Sequence, residues 1–141
     1  PANAMTDDAP PVRPARHADL PTVSTLQRLL SHPSPALLDA WPAVGALLVS
    51  VDADDHPVGY LLASGDHVVE LVVDPGARRE GRARALVDAV RARRPASSLT
   101  LLVHPENEAA LACYDALGFR RDARVPAAFG DEDAIRLVSD P

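Results

Sequence analysis

The sequence has little cysteine, no long apolar run and no excess of positive charge. Each of these shortages argues against one kind of structure or partner. A single cysteine, Cys113, excludes an intramolecular disulfide and suits a reducing cytoplasm, which is the location we expect. No apolar run approaches the roughly 18–20 residues of a membrane-spanning helix, so no membrane partner is expected. The net charge of −6 argues against nucleic acid as the main partner, because neutralising phosphates requires a basic face.

Size and composition indicate one globular domain with a real core. The chain has 141 residues, of which 47% are hydrophobic. We expect residues 1–11 to combine a short cloning remnant ahead of Met5 with a flexible lead-in, and the domain to span residues 12–141. Four histidines, at positions 17, 32, 56 and 67, show no spacing typical of metal ligands, so no metal is expected.

Hydrophobic periodicity predicts strands and helices that alternate along the chain. The predicted elements are a strand at 12–15, a helix at 19–30, a short helix at 36–41, a hairpin of strands at 46–51 and 57–63, a central strand at 68–73, a helix at 81–93, a strand at 97–103, a helix at 107–117, and two strands at 120–125 and 134–138. The result is a single mixed α/β domain without an internal repeat.

The most informative segment runs from Glu70 to Leu86, where an apolar strand turns through a basic loop into a helix. Pro75 and Gly76 break the strand, and the helix is predicted to begin near Glu80 or Gly81. Free N–H groups at a helix N-terminus attract anions, and the missing Cβ of Gly81 lets a phosphate approach the main chain closely. The nearby positive charges are Arg78, Arg79, Arg82 and Arg84. An ordinary corner with solvated arginines is the alternative interpretation.

A second segment, residues 104–119, places polar groups on an apolar helical stripe. Asn107 and Tyr114 are two turns apart on the face that carries Ala110 and Leu111. An amide and a phenol on such a stripe each need a partner, which favours a ligand site. Gly118 is predicted to end the helix. The alternative interpretation is that Tyr114 is simply a half-buried helix aromatic.

Together the two segments resemble the GNAT superfamily of N-acetyltransferases. The matching patterns are Arg78-x-x-Gly81-x-Ala83 and Asn107-x-x-Ala110-x-x-x-Tyr114-x-x-x-Gly118-Phe119. The resemblance implies a single GNAT-like domain of α/β (mixed α+β) class. Its central mixed sheet would have about six to seven strands, flanked by about four helices, with two splayed parallel strands holding acyl-CoA. Arg79 and Arg82 depart from the residues frequent in the family, and both positions act largely through main-chain N–H groups.

The resemblance also implies the residues of a donor site for acetyl-CoA, the expected co-substrate. The main chain of Leu71, Val72 and Val73 would bond the pantetheine arm and polarise the acetyl carbonyl. Asn107 would contact the pantetheine, and Tyr114 would lie at the reacting sulfur. The pyrophosphate would be held by the loop residues Arg78, Arg79, Glu80, Gly81, Arg82, Ala83 and Arg84.

The implied reaction is direct attack of a primary amine on the thioester in a ternary complex. Tyr114 would protonate or hydrogen-bond the leaving thiolate, helped by strong hydrogen bonding or by a modest fall in its pKa. Glu70, on the face opposite Leu71, is the first candidate base, against the alternative of a carboxylate that is edge-facing or paired with an arginine. His104 is a second candidate, against the alternative of a turn histidine before proline.

The acceptor is expected to be a primary amine on a small molecule or at a protein or peptide N-terminus. The acidic loop at 130–133 could attract a cationic amine, although exposed acidic clusters are usually just solvated. Dimers are common in the family, so a homodimer is compatible with the resemblance. Two competing hypotheses remain: an acyl-CoA-binding regulatory or sensing module without efficient transfer, and a pure interaction domain.

Overall fold

The computed structural model describes residues 9–141, and the predictions for residues 1–8 lie outside that range. The elements are β1 (Val12–Pro14), α1 (Leu20–Gln27), α2 (Pro35–Asp39), α3 (Trp41–Val44), β2 (Ala46–Val51), β3 (Pro57–Ser64), β4 (His67–Val73), α4 (Arg82–Arg93), β5 (Leu99–Val103), α5 (Glu108–Ala116), β6 (Arg120–Phe129) and β7 (Glu132–Ser139). Short 3-10 turns at His17–Asp19 and Pro75–Ala77 precede α1 and follow β4. No helix within residues 9–141 is long and apolar enough to cross a membrane.

The strands form one mixed sheet in the order β1-β2-β3-β4-β5-β7-β6. All neighbouring strands are antiparallel except β4 and β5, which are parallel. The predicted mixed sheet of six to seven strands is therefore confirmed. The single short helix predicted at 36–41 is instead two helices that meet at Ala40, because Pro42 suits the first turn of a new helix.

The parallel strands β4 and β5 pair over only two positions before they separate. His67 pairs with Thr100 and Val68 with Leu101, and no further pair joins these two strands. The His67 ring and the Thr100 hydroxyl lie 2.8 Å apart, and the Thr100 N–H donates to the Asp66 carbonyl at 3.0 Å. Burial lowers the pKa of His67, which favours the neutral ring. The two strands are thus joined at one end and splayed beyond it, as predicted.

A β-bulge on β4 begins where the strands separate. The register with β3 shifts between Leu62, opposite Glu70, and Ala63, opposite Val68, which leaves Val69 as the extra residue. A bulge re-aims side chains and bends the strand that carries it. The bulge therefore coincides with the point at which β4 leaves β5.

Each face of the sheet has its own core. On one face, Leu86, Val87 and Val90 of α4 pack against β2, β3 and β4. On the other face, Val23 and Leu26 of α1 pack against β3 and β4. We call these the α4 side and the α1 side. Leu29 lies beyond the end of α1 at Gln27 and is 49% exposed.

Gly45, at the start of β2, supports a prediction about stability. A Cβ at this position would lie 2.1 Å from the Ala63 carbonyl oxygen of β3. Backbone must move to accept it, so Gly45→Ala should lower the free energy of unfolding by about 2 kcal/mol or more, measured by urea denaturation. Gly76→Ala is the control, since its Cβ would meet only an Asp74 oxygen at 3.5 Å. Equal effects of the two substitutions would contradict the packing described for β2 and β3.

Candidate functional site

The gap between β4 and β5 opens into a cleft with a volume of about 1080 Å³. Its walls come from both faces of the sheet. The α4 side contributes the loop after β4, the first turn of α4 and one face of α5. The α1 side contributes residues 29–32 and, from the far end of the sheet, His104, Phe129 and Glu132. A ligand lying in the gap is therefore reachable from either face.

Strand β4 presents main-chain groups to this cleft. The Asp74 N–H donates to the Val58 carbonyl at 2.8 Å, while Val73 lies opposite Gly59. In an antiparallel ladder this pattern turns the N–H and C=O of Val73, and of Leu71 two residues earlier, away from β3 and toward the gap. Leu71 and Val73 line the cleft. Val72, which the prediction also includes, differs from them: the same alternation turns its main chain toward β3 and buries its side chain on the α1 side.

The loop after β4 is shaped by its own backbone. Asp74 accepts a hydrogen bond from the Gly76 N–H at 2.9 Å and starts the 3-10 turn. Arg79 (φ 66°) and Gly81 (φ 81°) are both left-handed. Gly81 is the N-cap of α4 and has no side-chain cap, and a Cβ there would meet no atom within 4 Å. Without a side-chain cap, the first N–H groups of α4 are available to an anion, and the open space at Gly81 leaves room for one to approach.

The Arg82 side chain points into the protein rather than toward that anion site. Its guanidinium donates to the Ser50 hydroxyl at 3.0 Å, to the Val51 carbonyl at 2.9 Å and to Glu80 at 2.7 Å. These bonds tie the start of α4 to β2. Any contact of Arg82 with a phosphate would then use its main-chain N–H. Glu80, engaged by this bond, is absent from the lining of the cleft.

The other arginines of the loop differ in the hydrogen bonds that their side chains make. Arg84 donates to the Ala116 carbonyl at 2.6 Å and joins α4 to the end of α5. Arg78 donates through Nε to the Val73 carbonyl at 3.1 Å, which holds the loop against β4. The hydrogen bonds found among residues 9–141 include none from the Arg79 side chain, which lines the cleft. Arg79 is thus the arginine best placed to meet an anion through its side chain.

Asn107 caps α5 and lies outside the helix. Its side-chain oxygen accepts from the Ala110 N–H at 3.1 Å, and the residue is exposed. The prediction that it stands on the helical stripe and needs a buried partner is therefore wrong. An N-cap residue satisfies a free N–H of the first turn, and this role explains its polarity. The NH₂ of the same amide remains free to donate to a ligand in the cleft.

The oxygen and the NH₂ of the Asn107 side chain have different expected roles, so the loss of each can be measured separately. Asn107→Ala should cost about 1 kcal/mol of stability, because the cap is lost. Asn107→Ser keeps a capping oxygen but removes the NH₂ donor, so it should unfold like the wild type and bind acetyl-CoA about three- to ten-fold more weakly. Thermal unfolding and calorimetric titration measure the two effects. Unchanged affinity in the serine variant would limit Asn107 to capping.

Tyr114 lies in α5 with its ring against the core on the α4 side. It lines the cleft and meets Phe119 edge to face, with ring centroids 5.8 Å apart. Burial, with a smaller contribution from Cys113, raises the pKa of Tyr114 to about 12. The modest fall in pKa considered from the sequence is therefore not found, and the phenol is a neutral donor. Burial also raises the pKa of the neighbouring Cys113 thiol, which fits a residue that is not nucleophilic.

Glu70 is buried beneath the cleft and surrounded by donors. Its side chain faces the α1 side, opposite Leu71 as predicted, and the residue is 5% exposed. It accepts hydrogen bonds from the Gln27 amide, the Ser34 N–H and the Tyr60 hydroxyl. The arginine partner considered from the sequence is replaced by these three neutral donors. Burial beside this carboxylate raises the pKa of Tyr60 well above its usual range, so Tyr60 stays protonated.

Three nearly parallel rings close the α1 side of the cleft. His32, from the segment after α1, stacks on Phe129 of β6 with centroids 4.7 Å apart, and His104 lies 6.1 Å from His32. His104 Nε2 lies 2.5 Å from Glu132, and its Nδ1 accepts from the Glu106 N–H at 3.2 Å. No local pattern points to His32 or Phe129, because their contact depends on how two segments distant in sequence fold.

The acidic loop predicted at 130–133 is smaller than expected. Glu132 and Asp133 belong to β7, and Asp133 is engaged by Arg124 at 2.9 Å and by the Ala127 N–H at 3.1 Å. Glu132 is the one of these acidic residues that lines the cleft. The loop therefore contributes one carboxylate to the site rather than a broad acidic surface.

One group of possible metal ligands occurs within residues 9–141, in the turn between β2 and β3. Asp52, Asp54 and His56 place one ligand atom each within 4.8 Å of one another. Asp52 already accepts from the Asp54 and His56 N–H groups at 2.9 and 3.0 Å, and these bonds lower its pKa. The cluster is thus explained by the turn itself.

Comparison with known proteins places this geometry in a family. Residues 37–130 match the family model described as an acetyltransferase (GNAT) domain. The chain belongs to the GNAT acetyltransferase family. The GNAT resemblance drawn from the two sequence patterns is therefore confirmed, and so is the splayed-strand fold that it implies.

Two curated relatives match about half of this GNAT chain. Over 78 residues it is 38% identical to the peptidyl-lysine N-acetyltransferase YjaB of Escherichia coli, covering 55% of this chain and 52% of that protein. Over 78 residues it is 44% identical to the mycothiol acetyltransferase of Clavibacter sepedonicus, covering 53% and 26%. The chain thus spans about half the length of the first relative and a quarter of the second.

A solved structure supports the fold across nearly the whole chain. The phosphinothricin acetyltransferase of Sinorhizobium meliloti, in complex with AcCoA, superposes with a TM-score of 0.73. The match covers 94% of this chain and 88% of that one, at 18% sequence identity. At this identity the likeness establishes the shared fold.

Proposed function

We propose that the protein is an N-acetyltransferase that moves an acetyl group from acetyl-CoA to a primary amine. The splay of β4 and β5 carries this proposal, because it leaves the main chain of Leu71 and the N–H of Val73 without a partner strand in a cleft of about 1080 Å³. An extended ligand with amide groups can bond that edge as a further strand would. The pantetheine arm of acetyl-CoA has this chemistry. The same fold holds AcCoA in the Sinorhizobium enzyme.

Groups in the cleft can bind both the pyrophosphate and the pantetheine arm of acetyl-CoA. Its pyrophosphate suits the free N–H groups at Gly81 and the following first turn of α4, with the Arg79 side chain beside them. The NH₂ of Asn107 can donate to the pantetheine. A main-chain N–H of β4 aimed at the acetyl oxygen stabilises the charge that develops during attack. The donor would therefore lie on the α4 side of the sheet and reach through the gap.

The amine attacks from the α1 side. Its nitrogen forms a bond to the acetyl carbon, the carbon–sulfur bond breaks, and CoA leaves as a thiolate that accepts a hydrogen bond from the Tyr114 phenol. The nitrogen loses one proton, which passes to water in the cleft. His104 does not compete for it, because its Nε2 faces Glu132 and its Nδ1 already accepts from the Glu106 N–H. The products are an acetamide and free CoA.

The acceptor class follows from the cost of deprotonating the amine. At pH 7 an α-amine, with a pKa near 8, loses its proton for about 1.4 kcal/mol, whereas a lysine amine needs almost 5 kcal/mol. A small-molecule amine or a peptide N-terminus therefore suits a site without a strong base. Glu132 at the cleft favours a cationic acceptor. We keep a homodimer and a cytoplasmic location as predictions that belong to this proposal.

A thiol-release assay tests the proposal. The protein and acetyl-CoA are incubated with peptides bearing a free N-terminus, N-acetylated peptides bearing lysine, polyamines and aminoglycosides, and CoA thiol is measured over time. We expect amine-dependent release well above hydrolysis, with the N-terminal peptides or small amines ahead of lysine peptides. Tight acetyl-CoA binding with no release for any amine would favour a sensing module. Failure to bind any CoA species would favour an interaction domain.

A further inference from the structure

Both carboxylate oxygens of Glu70 are engaged by neutral donors in the structure. Its Oε1 accepts from the Gln27 amide at 3.0 Å and from the Tyr60 hydroxyl at 3.0 Å. Its Oε2 accepts from the same amide at 3.2 Å and from the Ser34 N–H at 2.7 Å. A carboxylate has about four acceptor positions, and here each oxygen already has two donors. A group with filled acceptor positions is a poor receiver for the proton of an incoming amine.

The donors to Glu70 bracket the segment that walls the α1 side of the cleft. Gln27 is the last residue of α1, and Ser34 is the N-cap of α2. Between them lie residues 28–33, of which 29–32 line the cleft. One carboxylate on β4 therefore holds both ends of this segment. Tyr60, fully buried on β3, fixes the carboxylate from beneath.

The same segment sets the shape of the acceptor side. His32 stacks on Phe129 at 4.7 Å only while the segment lies against the cleft. Leu29 and Leu30 contribute apolar surface beside it. Releasing the Ser34 N–H would leave a half-buried donor without its partner and loosen the wall from its α2 end.

We propose that Glu70 is a positioning residue that clamps residues 28–33 over the acceptor side of the cleft, and that it does not take the proton of the amine. The proposal rests on the acetyltransferase function proposed above. Because the clamp is a structural relation between Glu70 and Ser34, it can also be measured in a protein that transfers nothing.

Two substitutions at Glu70 distinguish a residue that positions the segment from one that acts as the general base. Glu70→Ala removes every acceptor, and we expect the KM for the amine to rise at least ten-fold, with kcat and the acetyl-CoA Kd within about three-fold. Glu70→Gln can still accept from Ser34 and can donate to the Tyr60 oxygen and to a flipped Gln27 amide. In Glu70→Gln the KM for the amine should therefore return most of the way to the wild-type value. The fall of kcat/KM at low pH should be the same as in the wild type. A hundred-fold loss in Glu70→Gln together with disappearance of that fall at low pH would overturn the proposal.

Amide exchange tests the clamp without any activity. In the wild type the Ser34 N–H should exchange slowly by NMR, and Glu70→Ala should accelerate it at least ten-fold, with Glu70→Gln in between. Unchanged exchange at Ser34 would overturn the clamp, whereas accelerated exchange in a protein without turnover would leave the clamp intact and refute the transferase function. If Glu70→Ala does not fold, Gln27→Met frees the α1 end instead. It should raise the amine KM at least three-fold, and an unchanged KM would count against the clamp.

Discussion

Tyr114→Phe should lower turnover at least ten-fold and leave the Kd for acetyl-CoA within about two-fold. The phenol lines the cleft and, with a pKa raised to about 12, keeps its proton throughout the pH range of the assay. A hydrogen bond from a neutral donor to a developing thiolate is worth about 1.5–3 kcal/mol, or roughly ten- to a hundred-fold in rate. Phenylalanine keeps the ring and its edge-to-face contact with Phe119, so the fold should be unaffected.

Hydrogen bonding rather than full proton transfer follows from the same pKa. With a phenol pKa of about 12 against about 8.5 for a thiol, complete transfer is uphill by about 5 kcal/mol. A plot of kcat against pH should accordingly show no change caused by ionisation of Tyr114 between pH 6 and 9.

The matched control for Tyr114 is a donor with a more acidic thiol. Such a leaving group needs less help, so the defect of Tyr114→Phe should shrink with this donor. Thermal unfolding of the variant checks that its fold is intact. A turnover equal to that of the wild type would remove Tyr114 from the reaction.

Gly81→Asp should weaken acetyl-CoA binding at least ten-fold more than Gly81→Asn does. Gly81 has φ 81° and open space around its missing Cβ, and Asn and Asp both tolerate this left-handed conformation better than other residues. The two variants therefore differ mainly in charge. A carboxylate beside a pyrophosphate meets like charge at short range, which costs more than the 1.4 kcal/mol that a ten-fold change represents.

A donor without phosphates is the control for Gly81. An acetyl-pantetheine thioester reaches the gap but has no pyrophosphate, so its KM should be similar in the Asp and Asn variants. Calorimetry supplies the Kd for acetyl-CoA, and thiol release supplies the KM for the short donor. Equal acetyl-CoA affinities in the two variants would mean that the pyrophosphate lies elsewhere.

Local patterns predicted the elements that carry the donor site. The apolar run before Pro75 predicted β4, and the break followed by helical spacing predicted α4 to within one residue. Gly118 ends α5 with a φ of 94°, as its position suggested. These features depend on neighbours in sequence, and glycine and proline restrict the backbone wherever they occur.

Features that depend on distant contacts could not be predicted in this way. Arg82 looked like a phosphate ligand, yet its side chain reaches β2, some thirty residues earlier in the chain. The bulge at Val69 follows from the pairing with β3, which no local pattern reports. The hydrogen bonds to Glu70 likewise come from α1 and from the start of α2.

Calorimetric titration with acetyl-CoA, with adenosine diphosphate as the control ligand, shows whether the gap between β4 and β5 is a donor site. We expect one acetyl-CoA per chain with micromolar affinity, and much weaker binding of the diphosphate, because most contacts would come from the pantetheine in that gap. No binding of acetyl-CoA to protein shown to be folded and free of carried-over CoA would contradict the assignment of this gap as a donor site.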